Sequence, residues 1–228
     1  MTNNHVPIIT LDGPSGTGKG TISLRLANHL NWNFLDSGAI YRVLALAANK
    51  KNIGLSEKNK LAALAGDLDF HFKTNDSKCR IFLEGKDVSE EIRSEQCGQD
   101  ASIVASIPEV REALLAKQRD FARPPGLVTD GRDMGTVVFP NADLKIYLYA
   151  TEEERIKRRY LQLKEKENDV SLAQVAEELR SRDERDKNRA HAPLRPADDA
   201  VFVDTTRLTV VQVFNYVLKL VNDRILNQ

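Results

Sequence analysis

Cysteine is scarce in this chain of 228 residues. There are two, Cys79 and Cys97. They form no C-x-x-C pair and have only His71 as a neighbouring histidine, which leaves nothing for a disulfide framework, a redox pair or a thiolate metal site. Charge of one sign is lacking too. The 33 Lys plus Arg balance 33 Asp plus Glu, so no global field draws the chain to nucleic acid or an anionic membrane, and any anion site must be local. Long apolar runs are missing as well: residues 1–5 carry no basic region, and the run after them is only a few residues. This excludes a signal peptide or membrane span and makes the cytoplasm the expected location. There are no repeats and no low-complexity segment, and without an obvious exposed apolar stripe a monomer is expected. The length suits one sizeable α/β domain with an inserted piece, burying roughly 70% of its unfolded surface.

The chain does have a phosphate-cradling loop. Gly13-Pro14-Ser15-Gly16-Thr17-Gly18-Lys19-Gly20-Thr21 follows the apolar run Ile8-Ile9-Thr10-Leu11 and precedes a helical pattern. Glycines let backbone N–H groups close around phosphate oxygens, the helix N-terminus adds partial positive charge, and Lys19 supplies a mobile full charge. Gly20 stands where the general pattern has the Mg²⁺-holding Ser or Thr, with Thr21 one place later.

After the loop, Ile22, Leu26, Ala27 and Leu30 predict one apolar helical stripe. Residues 32–35 read as a second strand, and Asp36-Ser37-Gly38 precedes an apolar helix over 39–48, with Ser37 placed to cap it or to offer a second anion site. Leu68, Phe70 and Phe72 alternate with polar residues, Asn75-Asp76-Ser77 turns, and residues 80–84 return, which predicts an antiparallel hairpin insert with His71 on its polar side. Helices are expected from about Ser94 and again from Pro108, where Val110, Leu114, Leu115 and Phe121 are apolar. Arg111 in that first turn is either solvated or held by a partner. Residues 126–130 and 145–150 read as central parallel strands, followed by helices over 152–167 and 171–189, a Pro-containing stretch over 191–196, a strand over 201–204 and a last helix. Alternating strands and helices predict an α/β fold, an open parallel sheet of the P-loop type, with ligands beyond the carboxyl ends of the strands. Asp130-Gly131-Arg132-Asp133 lies at such an end.

A second signal is the stretch from Arg180 to Arg189, in which Arg182, Arg185, Asp186 and Arg189 share one helical face. Alone it could be a solvated face of ion pairs. Beside a phosphate loop it reads as a mobile lid whose arginines neutralise a transferring phosphoryl group, with Arg155, Arg158 and Arg159 as hinge or donor-side contacts. A phosphate acceptor, with a second pKa near ~6, needs arginines rather than a general base. Arg42, Arg132 and Arg189 could converge on it. Asp133 is ambiguous between a base for a hydroxyl acceptor and an acceptor for an exocyclic amine.

Four ordered motifs, Gly13 to Thr21, Asp36-Ser37-Gly38-Ala39-Ile40-Tyr41-Arg42, Asp130 to Pro140, and Arg182-Asp183-Glu184-Arg185-Asp186, make the whole chain resemble the bacterial cytidylate kinases. Gly20 is shared with nucleoside monophosphate kinases generally. The resemblance implies γ-phosphoryl transfer from ATP to CMP or dCMP with Mg²⁺. It implies Ser37, Tyr41, Arg42, Arg132 and Arg189 around the acceptor phosphate and sugar, Arg182 and Asp186 near the ribose, and Ser102, Arg111 and Asp133 on cytosine. Lys19, Arg132 and Arg189 are the expected catalytic residues, and the ATP site is Gly13 to Thr21 with Arg158. Mg²⁺ ligands are open, with Thr21 and Asp130 as candidates beside phosphates and water. Within one kinase unit, residues 1–66, 100–155 and 199–228 would form the sheet core, 67–99 the acceptor-side insert and 156–198 the lid region. Two alternatives stand beside this reading. A small-molecule kinase would use Asp133 as base. A nucleotide switch is disfavoured because the chain has no N-K-x-D tetrad.

Overall fold

The computed structural model describes residues 5–75, 78–165 and 170–226. The opening apolar run becomes strand β1 (Ile8–Asp12), and the loop after it leads into helix α1 (Lys19–Leu30), which buries Ile22, Leu26 and Ala27. Strand β2 (Asn33–Asp36) and helix α2 (Ser37–Lys50) follow without a linker. Here the expected cap shifts by one residue: the Asp36 carboxylate accepts from Ala39 N at 3.0 Å, and Ser37 is already helical and buried. An aspartate one residue earlier caps as well as a serine does.

Helix α3 (Lys58–Gly66) was not anticipated, and it buries Leu61, Leu64 and Ala65. The insert holds three antiparallel strands rather than two: β3 (Phe70–Asn75), β4 (Lys78–Leu83) and the two-residue β5 (Lys86–Asp87). The exposed His71 ring stacks on Phe82 at 4.7 Å, which accords with a surface histidine. Asp76 and Ser77 of the expected turn lie outside the described residues.

Helix α4 (Glu95–Val104) is capped by Ser94, and α5 (Pro108–Arg119) has Pro108 in its first turn. Phe70 and Phe72 pack on Phe121 just beyond α5, which anchors the insert. Strand β6 (Leu127–Gly131) runs into a π-helical turn at Met134–Val138, followed by β7 (Leu144–Tyr149). Helix α6 (Glu152–Lys164), helix α7 (Leu172–Asn188), strand β8 (Val201–Asp204) and helix α8 (Val210–Val221) complete the order. The expected run of α6 to 167 ends on residues outside those described, as do residues 1–4.

The main sheet is wholly parallel in the order β2-β6-β1-β7-β8. Every residue of β6 is buried, so helices cover both faces, as a parallel sheet requires. Register sets Asp12 opposite Gly131 and Asp36 opposite Asp130, which gathers three aspartates at the carboxyl edge of neighbouring strands. No helix among the described residues is long and apolar enough to cross a membrane.

Candidate active site

The loop after β1 folds as it does because two of its glycines have no room or no strain-free alternative. Gly13 has φ +147°, and a Cβ there would lie 2.2 Å from the carbonyl oxygen of Leu148 on β7. Gly18, at φ 89°, caps α1 in the left-handed region. Lys19 is buried, and its Nζ donates to the Pro14 carbonyl at 3.0 Å, across the loop. Burial first, and then the Arg132 guanidinium, push its pKa down to about 7. A phosphate anion seated in the loop would favour the ammonium form again.

The strand ends behind this loop are acidic. Asp12 accepts from Met134 N at 2.9 Å and Gly135 N at 2.8 Å, so the last residue of β1 holds the turn that follows Arg132-Asp133. Its pKa is raised to about 6, chiefly by burial and against those two backbone bonds. A carboxyl at about 6 in the fold and near 3.8 unfolded takes up a proton on folding between those values. Its contribution to stability is therefore fullest below the unfolded value and is lost as pH rises through the folded one. Urea unfolding should show wild type gaining on Asp12→Asn as the pH is lowered from about 7 to about 4; a gap that does not change with pH would contradict this. Asp130 is raised well above the usual carboxylate range by burial and then by Asp36, and its Oδ1 has no hydrogen-bond partner among the described residues.

Facing these groups is an arginine cluster. Arg132 Nε donates to Asp186 Oδ2 at 2.7 Å. Asp133, 3% exposed, takes Arg111 on Oδ2 and Arg189 on Oδ1, the latter at 3.2 Å. Arg111 also donates to the Ala105 carbonyl and lies over the Tyr41 ring, 5.7 Å from its centroid. This supplies the partner that a cation in a helix's first turn needs. Arg182 is half-buried, and its buried Nε has no hydrogen-bond partner among the described residues. Its pKa is lowered to about 9 by burial and then by Arg132 and Arg42, so it is a guanidinium poised for an anionic or polar ligand. Arg42 Nη1 donates to the Ile92 and Ser94 carbonyls at 2.7 and 3.2 Å.

One cavity of about 620 Å³ collects these residues, within the usual size of a ligand site. Its wall includes Ser15 to Thr21, Ser37, Tyr41, Arg42, Ser102, Asp130, Arg132, Asp133, Arg158, Arg182, Asp186 and Arg189. Gly13, Pro14 and Arg111 are not on that wall; Arg111 supports Asp133 instead. Arg42, Arg132 and Arg189 all line the cavity, each with donors already engaged. Arg158 donates to Thr205 Oγ1 and to the Thr205 carbonyl, while Thr205 Oγ1 donates to the Thr17 carbonyl, which ties α6 to the phosphate loop. Arg155 pairs with Asp183 at 2.5 Å, and Arg159 with Glu95. Sequence reasoning missed Asp12 and Thr205. The signal for Asp12 was its place as the last residue of a strand entering the loop; Thr205 offered none.

The family model for cytidylate kinase matches residues 9–223. A cytidylate kinase from Pseudomonas fluorescens is 55% identical over 218 residues, 95% of each chain. One from Nitrosococcus oceani is 53% identical over 218 residues, covering 95% of this chain and 96% of that one. A crystal structure of an uncharacterized protein from Eubacterium ventriosum aligns with a TM-score of 0.51 at 14% identity over 96% of this chain and 100% of the other, a likeness of fold alone.

Proposed function

We propose, since this chain belongs to the cytidylate kinase family, that it phosphorylates CMP and dCMP, taking the γ-phosphoryl group of ATP by direct in-line transfer with Mg²⁺. It would act as a cytoplasmic monomer with nucleotides as its only partners. The observation that carries this reading is the single cavity in which a phosphate loop with Lys19 faces Arg132, Arg182 and Arg189. Two polyanions held end to end repel, and cations on both sides are what such a site needs. The acceptor phosphate is itself the nucleophile, so no general base is called for.

Lys19 and the loop N–H groups would bind the donor phosphates, and Arg158 the donor side. Ser37, Tyr41, Arg42, Arg132 and Arg189 would hold the acceptor phosphate and sugar, with Arg182 and Asp186 on the ribose. On the base, Asp133, held by Arg111, would accept the cytosine N4 amine, with Ser102 on the acceptor edge and Arg111 reaching it only by turning from its present partners. Helices α6 and α7 would be the lid.

The residues fit a divalent cation. Asp130 has a buried, unpartnered oxygen and lies beside Asp36, an arrangement that calls for positive charge. Among the described residues, no group of three or more His, Cys, Asp or Glu could hold a metal by itself. Asp130 and Thr21 would hold Mg²⁺ with phosphates and water completing the shell, and when bound it neutralises phosphate charge.

A hydroxyl acceptor with Asp133 as base is disfavoured, because both carboxylate oxygens already serve arginines. An acceptor panel of CMP, dCMP, UMP, AMP and GMP with MgATP tests the reading. ADP formation dependent on CMP and dCMP is expected, and turnover with none of the nucleotides would overturn it.

A further inference from the structure

Arg185 has no part in the function just described, yet it hydrogen-bonds from the lid to α4 on the acceptor side. Glu95, Gln99 and Ser102 follow one another at spacings of four and three, so they form a polar stripe on one face of α4. Arginines of the two lid helices cover that stripe. Arg159 of α6 pairs with Glu95. Arg185 of α7 donates to Gln99 Oε1, to Ser102 Oγ at 3.1 Å and to Ser181 Oγ, one turn earlier on its own helix, at 3.2 Å. Ser102 is buried and lines the cavity, whereas Arg185 does not line it. The arginine therefore grips from behind a hydroxyl whose other side faces the ligand.

The chemistry of that grip has a direction. A serine hydroxyl can donate or accept, and its proton turns to suit its neighbours. A guanidinium only donates and keeps its charge, so Ser102 Oγ must accept from it. The serine proton is then turned away from Arg185 and is free to point into the cavity that Ser102 lines, and the adjacent positive charge weakens the oxygen as an acceptor for anything else. We propose that Arg185 is a specificity-determining positioning residue, which fixes Ser102 as a hydrogen-bond donor toward the acceptor base. A pyrimidine with an unprotonated ring nitrogen at that edge, as in cytosine, is then matched. One with a ring N–H there, as in uracil, meets two donors. Because Arg185 shares α7 with Arg182 and Asp186, the same contact ties this choice to the helix that brings those side chains to the cavity.

This inference rests on the proposed CMP kinase activity, and the test separates the two. Steady-state kinetics with MgATP and either CMP or UMP would be measured for wild type, Arg185→Met, Arg185→Lys, Ser102→Ala and the double variant Arg185→Met/Ser102→Ala. Arg185→Met is expected to lower the CMP-over-UMP ratio of kcat/KM by about tenfold, the effect of one hydrogen bond, mainly through KM for the acceptor, with KM for ATP unchanged. Arg185→Lys, still a charged donor, should recover part of the ratio. Ser102→Ala should lose as much as Arg185→Met, and the double variant no more than either. An equal loss for CMP and UMP, or an Arg185→Met effect that persists undiminished in the Ser102→Ala background, would overturn the proposal. If Arg185→Met does not fold, Ser102→Ala decides alone, since full CMP preference without the hydroxyl refutes it. A wild-type protein inactive on CMP would overturn the parent function instead.

Discussion

Lys19→Ala is expected to lower kcat with MgATP and CMP by about 10²- to 10³-fold, the cost of removing one preorganised charge from a developing phosphoryl transition state. KM for CMP should change little, because the lysine belongs to the donor loop. The structure strengthens this expectation in two ways. Lys19 is buried, and its Nζ hydrogen-bonds to a neutral acceptor, the Pro14 carbonyl. Its pKa is depressed to about 7 by burial and by Arg132. A cation kept in such a position without a close carboxylate bond is unstable for no structural return, and a bound polyphosphate is the natural counterion. Single-turnover measurements would separate chemistry from product release. A Lys19→Ala variant with near wild-type kcat would remove the residue from the transition state.

Much of the fold was legible because the sequence obeys local rules at the sheet. The run into Gly13, the acid-ended run at 126–130 and the stripe of Ile22, Leu26 and Ala27 each announce a strand or helix by pattern alone. Helix α3 was not legible. Its buried residues are only Leu61, Leu64 and Ala65, too short a pattern to stand out from a polar connection. The third strand of the insert was also missed, since Lys86 and Asp87 are both exposed and pair only through backbone.

In the site, residue types were legible and partners were not. The place of Arg111 in its helix left a solvated cation and a partnered one both open, and that it is held by Asp133, 22 residues on, is a product of tertiary packing. The stretch from Arg180 to Arg189 resolves into different jobs along one helix face. Arg182 and Asp186 turn to the cavity, while Arg185 turns to α4. No spacing rule distinguishes those destinations, because each is set by which neighbour a helix happens to meet. Asp12 was missed for the same reason, since its two backbone donors come from more than a hundred residues away.

The second large effect is expected at Asp133, where alanine and asparagine should behave differently. Asp133→Ala strips the carboxylate from two guanidiniums, Arg111 and Arg189, that the fold brings to it. Breaking a buried pair from one side costs about 3–5 kcal/mol, so this variant should show a clearly lower urea midpoint as well as poor CMP turnover. It is thus a weak probe of base choice. Asp133→Asn keeps the shape but not the symmetry. Its one carbonyl oxygen can serve only one of the two arginines that sit on separate carboxylate oxygens, so its NH2, a donor only, takes the other oxygen's place, against the second arginine and toward the base. Cytosine presents an amine there and would be mispaired, while uracil presents an acceptor and would be matched. The ratio of kcat/KM for CMP over UMP is therefore expected to fall by at least tenfold in Asp133→Asn, and toward inversion, because a buried polar mismatch discriminates strongly. Retention of full CMP preference by Asp133→Asn would mean that Asp133 serves only to hold the two arginines in place, and cytosine would have to be read elsewhere.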